Sequence, residues 1–70
     1  MTNARLLQMY ISDSGLDQSD VAERIGVSQQ GLYARVNGWR EFSGREIDRL
    51  CRLLNIKNPA LVFFAKNGDY

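Results

Sequence analysis

Apolar residues recur along this chain at the spacing of a helix rather than in the strict alternation that is typical of strands. A first helix is predicted from about Asn3 to Asp13. Its apolar stripe consists of Leu6, Leu7, Tyr10 and Ile11. Gly15 is a natural stop for this helix, and Asp17 can cap the next one. No segment has the pattern of a strand, so the sequence predicts an all-α fold.

Two short helices joined by a tight turn are predicted between residues 18 and 38. Helix 2 extends from Gln18 to about residue 25 and ends at Gly26, where a residue able to take positive φ is favoured. Ser28 caps helix 3, which extends from residue 29 to about residue 37 and ends at Gly38. Ala22 is small enough for the two helices to cross closely. Their apolar interior consists of Val21, Ile25, Val27 and Leu32.

Two more helix starts follow. Ser43 and Glu46 have the spacing of a capping box, which opens a fourth helix with an apolar face at positions 47, 50, 51 and 54. Cys51 lies on that face, where it is predicted to act as a small buried hydrophobe. Asn58 as a cap and Pro59 at the first helical position mark the start of a fifth helix, which continues over residues 60–65. The predicted architecture is a single all-α domain, residues 1–70, made of a compact bundle of about five short helices.

Composition excludes several classes of function. The chain has one cysteine and no histidine, so neither an internal disulfide, a zinc site nor a Cys/His catalytic pair is expected. We therefore predict no metal, no cofactor and no enzymatic activity. Neither a long apolar run nor an apolar leader is present, so we expect no membrane segment, and the single cysteine is consistent with a reducing cytoplasm.

The charges are distributed unevenly although the net charge is only +1. Residues 1–23 contain one arginine and four acids, a sum of −3, whereas residues 24–52 contain six arginines and three acids, a sum of +3. The basic half begins beside helix 3. This favours an anionic partner for that helix, and the alternative is that these are ordinary solvated charges.

One side of predicted helix 3 is rich in side-chain amides. At about 100° per residue, one side of the helix carries five residues and the opposite side carries Leu32 and Val36. The five are Gln29, Gln30, Tyr33, Ala34 and Asn37. Glutamine and asparagine can pair with adenine in the major groove, and an alanine methyl can contact thymine. Helix 3 has no acidic residue, so as a set this side has the chemistry of a surface that reads DNA bases.

Residues 18–38 resemble the helix-turn-helix of the lambda-repressor and Cro-like family of phage and bacterial regulators. The matching residues are Gln18, Val21, Ala22, Ile25, Gly26, Val27, Gln29, Gly31, Ala34, Asn37 and Gly38. The similarity extends more loosely through the fourth helix and residues 56–63. It implies a lambda-repressor-like fold, a double-stranded DNA operator as partner, and helix 3 as the recognition helix in the major groove. It also implies a cytoplasmic protein of a bacterial cell, associated with the nucleoid and encoded by the cell or by a phage.

The resemblance also implies roles for individual residues. Gln18 would hold a phosphate and brace Gln29, which reaches base edges together with Gln30. The remaining DNA-binding set is Ser28 at the cap, Tyr33 and Ala34 on bases or backbone, Asn37 on a phosphate, and Arg40 as a charge-assisted phosphate contact.

Two features depart from the family pattern. An apolar residue is usual three positions after Leu32, but this chain has Arg35 followed by Val36. Either Val36 replaces it through a small rotation of the helix, or Arg35 lays its stem along the core and releases its head to solvent. Trp39 and Phe42 stand in a loop where small polar residues are more usual, and they form either a lid over the seam between helices 3 and 4 or a patch for a partner.

The family commonly binds two-fold operators as dimers, so a homodimer on an inverted repeat is expected. Residues 59–64 are the candidate contact, because four consecutive apolar residues cannot all face one core. These four are Leu61, Val62, Phe63 and Phe64. The alternative is that they close the base of the bundle against the first helix.

Two functions remain open. The favoured one is a sequence-specific transcriptional regulator, a Cro-like repressor of a phage or prophage switch. The other is a helix-turn-helix module that binds and modulates another regulator, as an antirepressor or an antitoxin-type component would.

Overall fold

The computed structural model describes residues 1–65, and residues 66–70 of the predicted domain lie outside the described part. Five helices follow in order: α1 (Ala4–Ser14), α2 (Gln18–Ile25), α3 (Gln29–Val36), α4 (Gly44–Leu54) and α5 (Pro59–Phe63). No strand occurs among residues 1–65. The predicted all-α fold is confirmed.

Side-chain caps determine where the first four helices begin. In each of these helices, the side chain of the residue before the helix accepts a backbone N–H from its first turn. These capping residues are Asn3, Asp17, Ser28 and Ser43. The predicted capping box at Ser43 is present, since the Glu46 side chain accepts the Ser43 N–H in return. Such caps typically contribute about 1 kcal/mol each.

The predicted fifth helix was wrong in two respects. It ends at Phe63 rather than residue 65, and the Asn58 side chain makes no cap hydrogen bond. Pro59 alone opens the helix, because its fixed φ suits the first helical position. A smaller difference is that Asn3 is the cap of α1 and not its first residue.

The core is one apolar cluster shared by all five helices. Its fully buried side chains are Leu7, Val21, Ile25, Leu32, Val36, Leu50 and Val62. In the pairwise packing, α2 lies against α3 and α4, while α1 lies against α3, α4 and α5. Burial of each large apolar side chain contributes about 1.5–3 kcal/mol, so this cluster is the main stabilising element.

The two ends of the described chain are joined by backbone hydrogen bonds. Asn3 N–H donates to the Val62 carbonyl at 2.7 Å, and Ala65 N–H donates to the Met1 carbonyl at 2.8 Å. These bonds place α5 beside the start of α1. They leave α3 on a different part of the surface, with α2 and α1 as its neighbours.

Cys51 is half-buried on the inner side of α4, packed against the core. Burial, with a smaller contribution from the Asp48 charge, raises the pKa of its thiol. The thiol is therefore protonated at neutral pH.

None of the helices in residues 1–65 is long and apolar enough to cross a membrane.

Candidate nucleic-acid interface

The turn between α2 and α3 is built on Gly26. This residue has φ 85°, in the left-handed region that glycine favours, and its N–H donates to the Ala22 carbonyl at 3.0 Å. Val27 N–H also reaches the Ala22 carbonyl at 3.0 Å, which closes the end of α2. Arg49 of α4 donates to the Ile25 carbonyl at 3.2 Å and adds a positive charge at this helix end.

The outer side of α3 presents the predicted amides. Gln29 and Gln30 are exposed, and neither side chain is hydrogen-bonded to another of residues 1–65. Tyr33 is 55% exposed, and Ala34 beside it is half-buried. Because α3 has no acidic side chain, an anionic ligand approaching this side meets no fixed negative charge from the helix.

Ser28 supports the start of this helix. Its Oγ accepts the Gly31 N–H at 2.9 Å, so the hydroxyl is engaged as a cap while the residue remains exposed. The hydroxyl hydrogen is left available, since the Oγ acts as acceptor in the cap. A contact from Ser28 to a phosphate is therefore compatible with its capping role.

Two predicted phosphate-binding residues make hydrogen bonds inside the domain. The Gln18 side chain donates to Gln8 Oε1 of α1 at 2.9 Å, so its described partner is Gln8 rather than Gln29. The Asn37 side chain donates to the Tyr33 carbonyl at 2.8 Å and covers the end of α3. Each amide retains a second N–H, because a carboxamide nitrogen carries two donors.

The loop after α3 folds back toward the helix. Gly38 has φ 79°, and Trp39 N–H donates to the Ala34 carbonyl at 2.9 Å. The Trp39 ring packs edge-on against Tyr33, with centroids 5.5 Å apart and an interplanar angle of 76°. Arg40 follows on the surface, where it is exposed. The loop thus places an aromatic pair and a cation at the C-terminal end of α3.

The structure divides the residues predicted as dimer or partner contacts. Trp39, Leu61 and Phe64 are 69%, 50% and 63% exposed, whereas Phe42, Val62 and Phe63 are at most 9% exposed. The Phe42 ring packs edge-on against Phe63 inside the core, 5.4 Å between centroids. The buried three must be removed from the contact set, because their side chains already stabilise the bundle.

The alternatives for Arg35 and Val36 are resolved by burial. Val36 is 1% exposed and takes the core position that the family pattern places one residue earlier. Arg35 lies on the packed side as well, but its head is not released to solvent. Its Nε donates to Glu46 Oε1 at 3.0 Å, and its Nη1 donates to the Gly31 carbonyl at 2.9 Å.

Sequence reasoning missed two features of this region. No local sequence pattern indicated the Arg35–Glu46 salt bridge, because the capping box already gave Glu46 a hydrogen-bond partner. The Tyr33–Trp39 pair could have been predicted. Trp39 follows Tyr33 by six residues, and Gly38 at the end of the helix allows the chain to fold back on it.

The electrostatics of α2 oppose those of α3. Asp17 is an exposed cap, and the backbone N–H of Asp20 holds the pKa of its carboxyl below the usual value. Asp20 lies in the first turn of α2, so this end carries negative charge.

Within residues 1–65, no cluster of three or more His, Cys, Asp or Glu side chains could hold a metal ion.

A model of a helix-turn-helix family matches residues 7–60 of the chain, which includes all of α2, α3 and α4. The chain belongs to the Cro/C1-like (XRE-type) helix-turn-helix family. It is thus a DNA-binding regulator of a family that is typically non-enzymatic, and the resemblance at residues 18–38 is confirmed over a longer segment. No curated protein and no solved structure gives a significant match.

Proposed function

We propose that the chain is a sequence-specific transcriptional repressor, a Cro-like protein of a phage or prophage switch. The observation that carries this proposal is the pair of exposed amides, Gln29 and Gln30, on a recognition helix without acidic residues. A glutamine amide can bond adenine N6 and N7 together, which distinguishes that base in the major groove. Occupation of an operator would block polymerase sterically inside a bacterial cell.

Phosphate contacts supply affinity and hold the protein on the DNA, and base contacts supply sequence specificity. Arg40 is exposed directly after α3 and is the candidate for a charge-assisted contact at that end. Gln18, Ser28 and Asn37 each retain a free donor beside α3 and are proposed to hold further phosphates. The near-neutral net charge means that the contact depends on the local arginines rather than on the whole protein.

We further propose that two copies bind an inverted repeat. Leu61 is 50% exposed and Phe64 is 63% exposed at the α5 end of the domain, which is an unusual amount of surface for such side chains. Half-sites of such an operator lie about 34 Å apart, so a dimer that binds both must hold its two α3 helices at this spacing. Doubling the contacts raises the affinity of a domain that is small by itself.

The decisive experiment is selection of bound sites from a random DNA pool, followed by affinity measurements over a range of salt. We expect an inverted repeat whose binding weakens steeply with salt, with a slope of about −0.9 for each phosphate neutralised. Association that is insensitive to salt, or the absence of any enriched site, contradicts the proposal.

Two substitutions test the separate roles of base and phosphate contacts. Gln30→Ala is expected to lose discrimination at one base position, by about 1–3 kcal/mol. Arg40→Ala is expected to weaken all sequences alike and to reduce the salt slope by about 1. Unchanged DNA binding in both variants would remove these residues from the interface.

A second candidate function is favoured by the exposed Tyr33–Trp39 pair. Aromatic side chains with this exposure are enriched in protein interfaces, so the same surface could bind another regulator and modulate it. The two functions differ in one result. If Gln30→Ala and Arg40→Ala keep DNA binding but Trp39→Ala abolishes a complex with a regulator protein, the interaction function is correct.

A further inference from the structure

An arginine lies near the centre of the packed side of α3. At about 100° per residue, the buried arc of this helix runs from Gly31 through Arg35 and Leu32 to Val36. The Arg35 side chain is only 12% exposed, and it faces away from the outer amides. A DNA contact therefore does not explain it, and an apolar residue would bury this position at a smaller desolvation penalty.

The guanidinium of Arg35 joins two helices. Its Nη1 donates to the Gly31 carbonyl in α3 at 2.9 Å, and its Nε donates to Glu46 Oε1 in α4 at 3.0 Å. The same Glu46 oxygen accepts the Ser43 N–H at 3.0 Å. One planar fork is thus held between the backbone of the recognition helix and the capping box of α4.

Arg35–Glu46 is the one side-chain hydrogen bond or salt bridge between α3 and α4 among residues 1–65. The backbone of α3 packs against α2 and α1, and the backbone of α4 packs against α2, α1 and α5. The backbones of α3 and α4 approach each other less closely than these pairs do. Apolar side chains of both helices share the core, and such contacts are non-directional. The Arg35–Glu46 bridge adds a directional contact that resists rotation of α3 about its own axis.

Gly31 makes room for this bridge. A Cβ at position 31 would lie 2.8 Å from Arg35 Nη1, closer than a Cβ, which cannot hydrogen-bond, approaches a non-bonded atom. Gly31, which has no side chain, therefore leaves space for the guanidinium of Arg35, and this guanidinium in turn binds Glu46.

We propose that Arg35 and Glu46 are positioning residues for base recognition, which set the rotation of α3 and so decide how Gln29 and Gln30 meet the base edges. This rests on the proposed function of α3 as a recognition helix. Side chains extend about 5 Å from a helix axis, so a rotation of about 20° moves their ends by about 2 Å. That displacement breaks a hydrogen bond, whose length varies only between about 2.7 and 3.2 Å.

The test compares Arg35→Leu with Arg52→Leu in the full chain. Arg52 pairs with Asp48 at 3.2 Å within α4, and both side chains are largely exposed, so this control removes the same charge without touching α3. The operator selected by the unmodified protein is used as probe, with random-sequence DNA of equal length at the same salt. The measured quantity is the ratio of the two affinities in variants that show native near-UV circular dichroism.

We expect Arg35→Leu to lower this ratio by about tenfold, as for the loss of about one base-specific pair, and Arg52→Leu to leave it unchanged within about twofold. Arg35→Lys should fall between them, because an ammonium keeps the charge but cannot form the fork. If folded Arg35→Leu matches Arg52→Leu in this ratio and in its preference at each base position, the bridge is only structural and the proposal is wrong.

Glu46→Gln decides the question if Arg35→Leu does not fold. Its amide oxygen can still accept from Ser43, so the capping box is retained, while the bond from Arg35 Nε to the same oxygen loses its charge assistance and weakens. A ratio lowered by about threefold or more supports the proposal, and an unchanged ratio contradicts it. Failure of the unmodified protein to select any operator would instead overturn the proposed function.

Discussion

Replacing Gly31 with alanine is expected to destabilise the domain, although this change stabilises most helices. Gly31 is the third residue of α3 and its φ is not positive. In an ordinary helix interior, alanine is more favourable than glycine by about 0.8–1.0 kcal/mol. Here the new Cβ would lie 2.8 Å from Arg35 Nη1 and 3.1 Å from Ser28 Oγ. The guanidinium is the group that must move.

The size of the effect follows from what the moving guanidinium loses. Its bond to the Gly31 carbonyl breaks first, and the bond to Glu46 weakens with it. Hydrogen bonds to charged groups contribute about 1.5–3 kcal/mol, and side chains that are 12% and 16% exposed are only weakly screened by solvent. After subtraction of the gain in helix propensity, we expect a net loss of about 1 kcal/mol.

A matched control is available within the chain. Gly44 is the first residue of α4, and nothing lies within 4 Å of the Cβ that alanine would add there. Gly44→Ala should therefore raise the free energy of unfolding by about 0.5 kcal/mol. In an Arg35→Leu background the guanidinium is absent, so Gly31→Ala should keep only its gain in helix propensity of up to about 1 kcal/mol. The double-mutant cycle should therefore show a coupling of about 2 kcal/mol, the difference between this gain and the loss of about 1 kcal/mol in the unmodified background.

Urea unfolding followed by far-UV circular dichroism measures these differences. A domain of this size has a slope of about 1 kcal/mol per molar urea, so each expected change moves the midpoint by about 0.5–1 M. Two results would refute the reasoning. One is a Gly31→Ala variant that gains as much stability as Gly44→Ala, and the other is a cycle whose coupling lies below about 0.3 kcal/mol.

Three further outcomes are expected. Trp39 is the only tryptophan and lies beside Tyr33, so saturating operator DNA should change its fluorescence; an unchanged spectrum would place this pair outside the interface. Phe64→Ser should keep the fold, because the side chain is 63% exposed, but it should weaken self-association in sedimentation equilibrium and binding to the full inverted repeat more than binding to one half-site. Equal losses for both DNAs would contradict a dimer contact there. Folding lowers the pKa of the Asp17 carboxyl, so the ionised cap stabilises the fold. This stabilisation is complete above the pKa of the unfolded chain, about 3.9, and it is lost as the pH falls through the lower pKa of the folded protein. Asp17→Ser should therefore show a shallower fall of Tm between about pH 5 and pH 3, and identical slopes would contradict it.

Helix starts could be predicted where a local signal was sufficient. Asp17, Ser28 and Ser43 each bond the first turn of the next helix, which involves residues only three positions apart. Residues 59–64 offered no such signal beyond the proline. Which of four consecutive apolar residues face the core depends on where α1 and α4 lie. The structure buries Val62 and Phe63 and exposes Leu61 and Phe64, and no local pattern distinguishes these pairs.

The orientation of α3 was beyond sequence reasoning for a related reason. An arginine in a buried arc is tolerated only if an acceptor lies within reach, and Glu46 is eleven residues away on another helix. Periodicity therefore showed that Val36 and Arg35 compete for the packed side but not how both are accommodated. Gly31 completes the explanation, because its missing Cβ provides the space that the guanidinium occupies.

In the proposed function, the two sides of α3 separate stability from recognition. Gln29 and Gln30 are exposed, so substitutions there should change stability by less than about 0.5 kcal/mol while altering which bases are bound. Arg35 differs because its bonds to Gly31 and Glu46 contribute to stability and also orient the outer side. New operator preferences can thus arise at positions 29 and 30 without loss of the fold, whereas a change at position 35 should affect folding and base preference together.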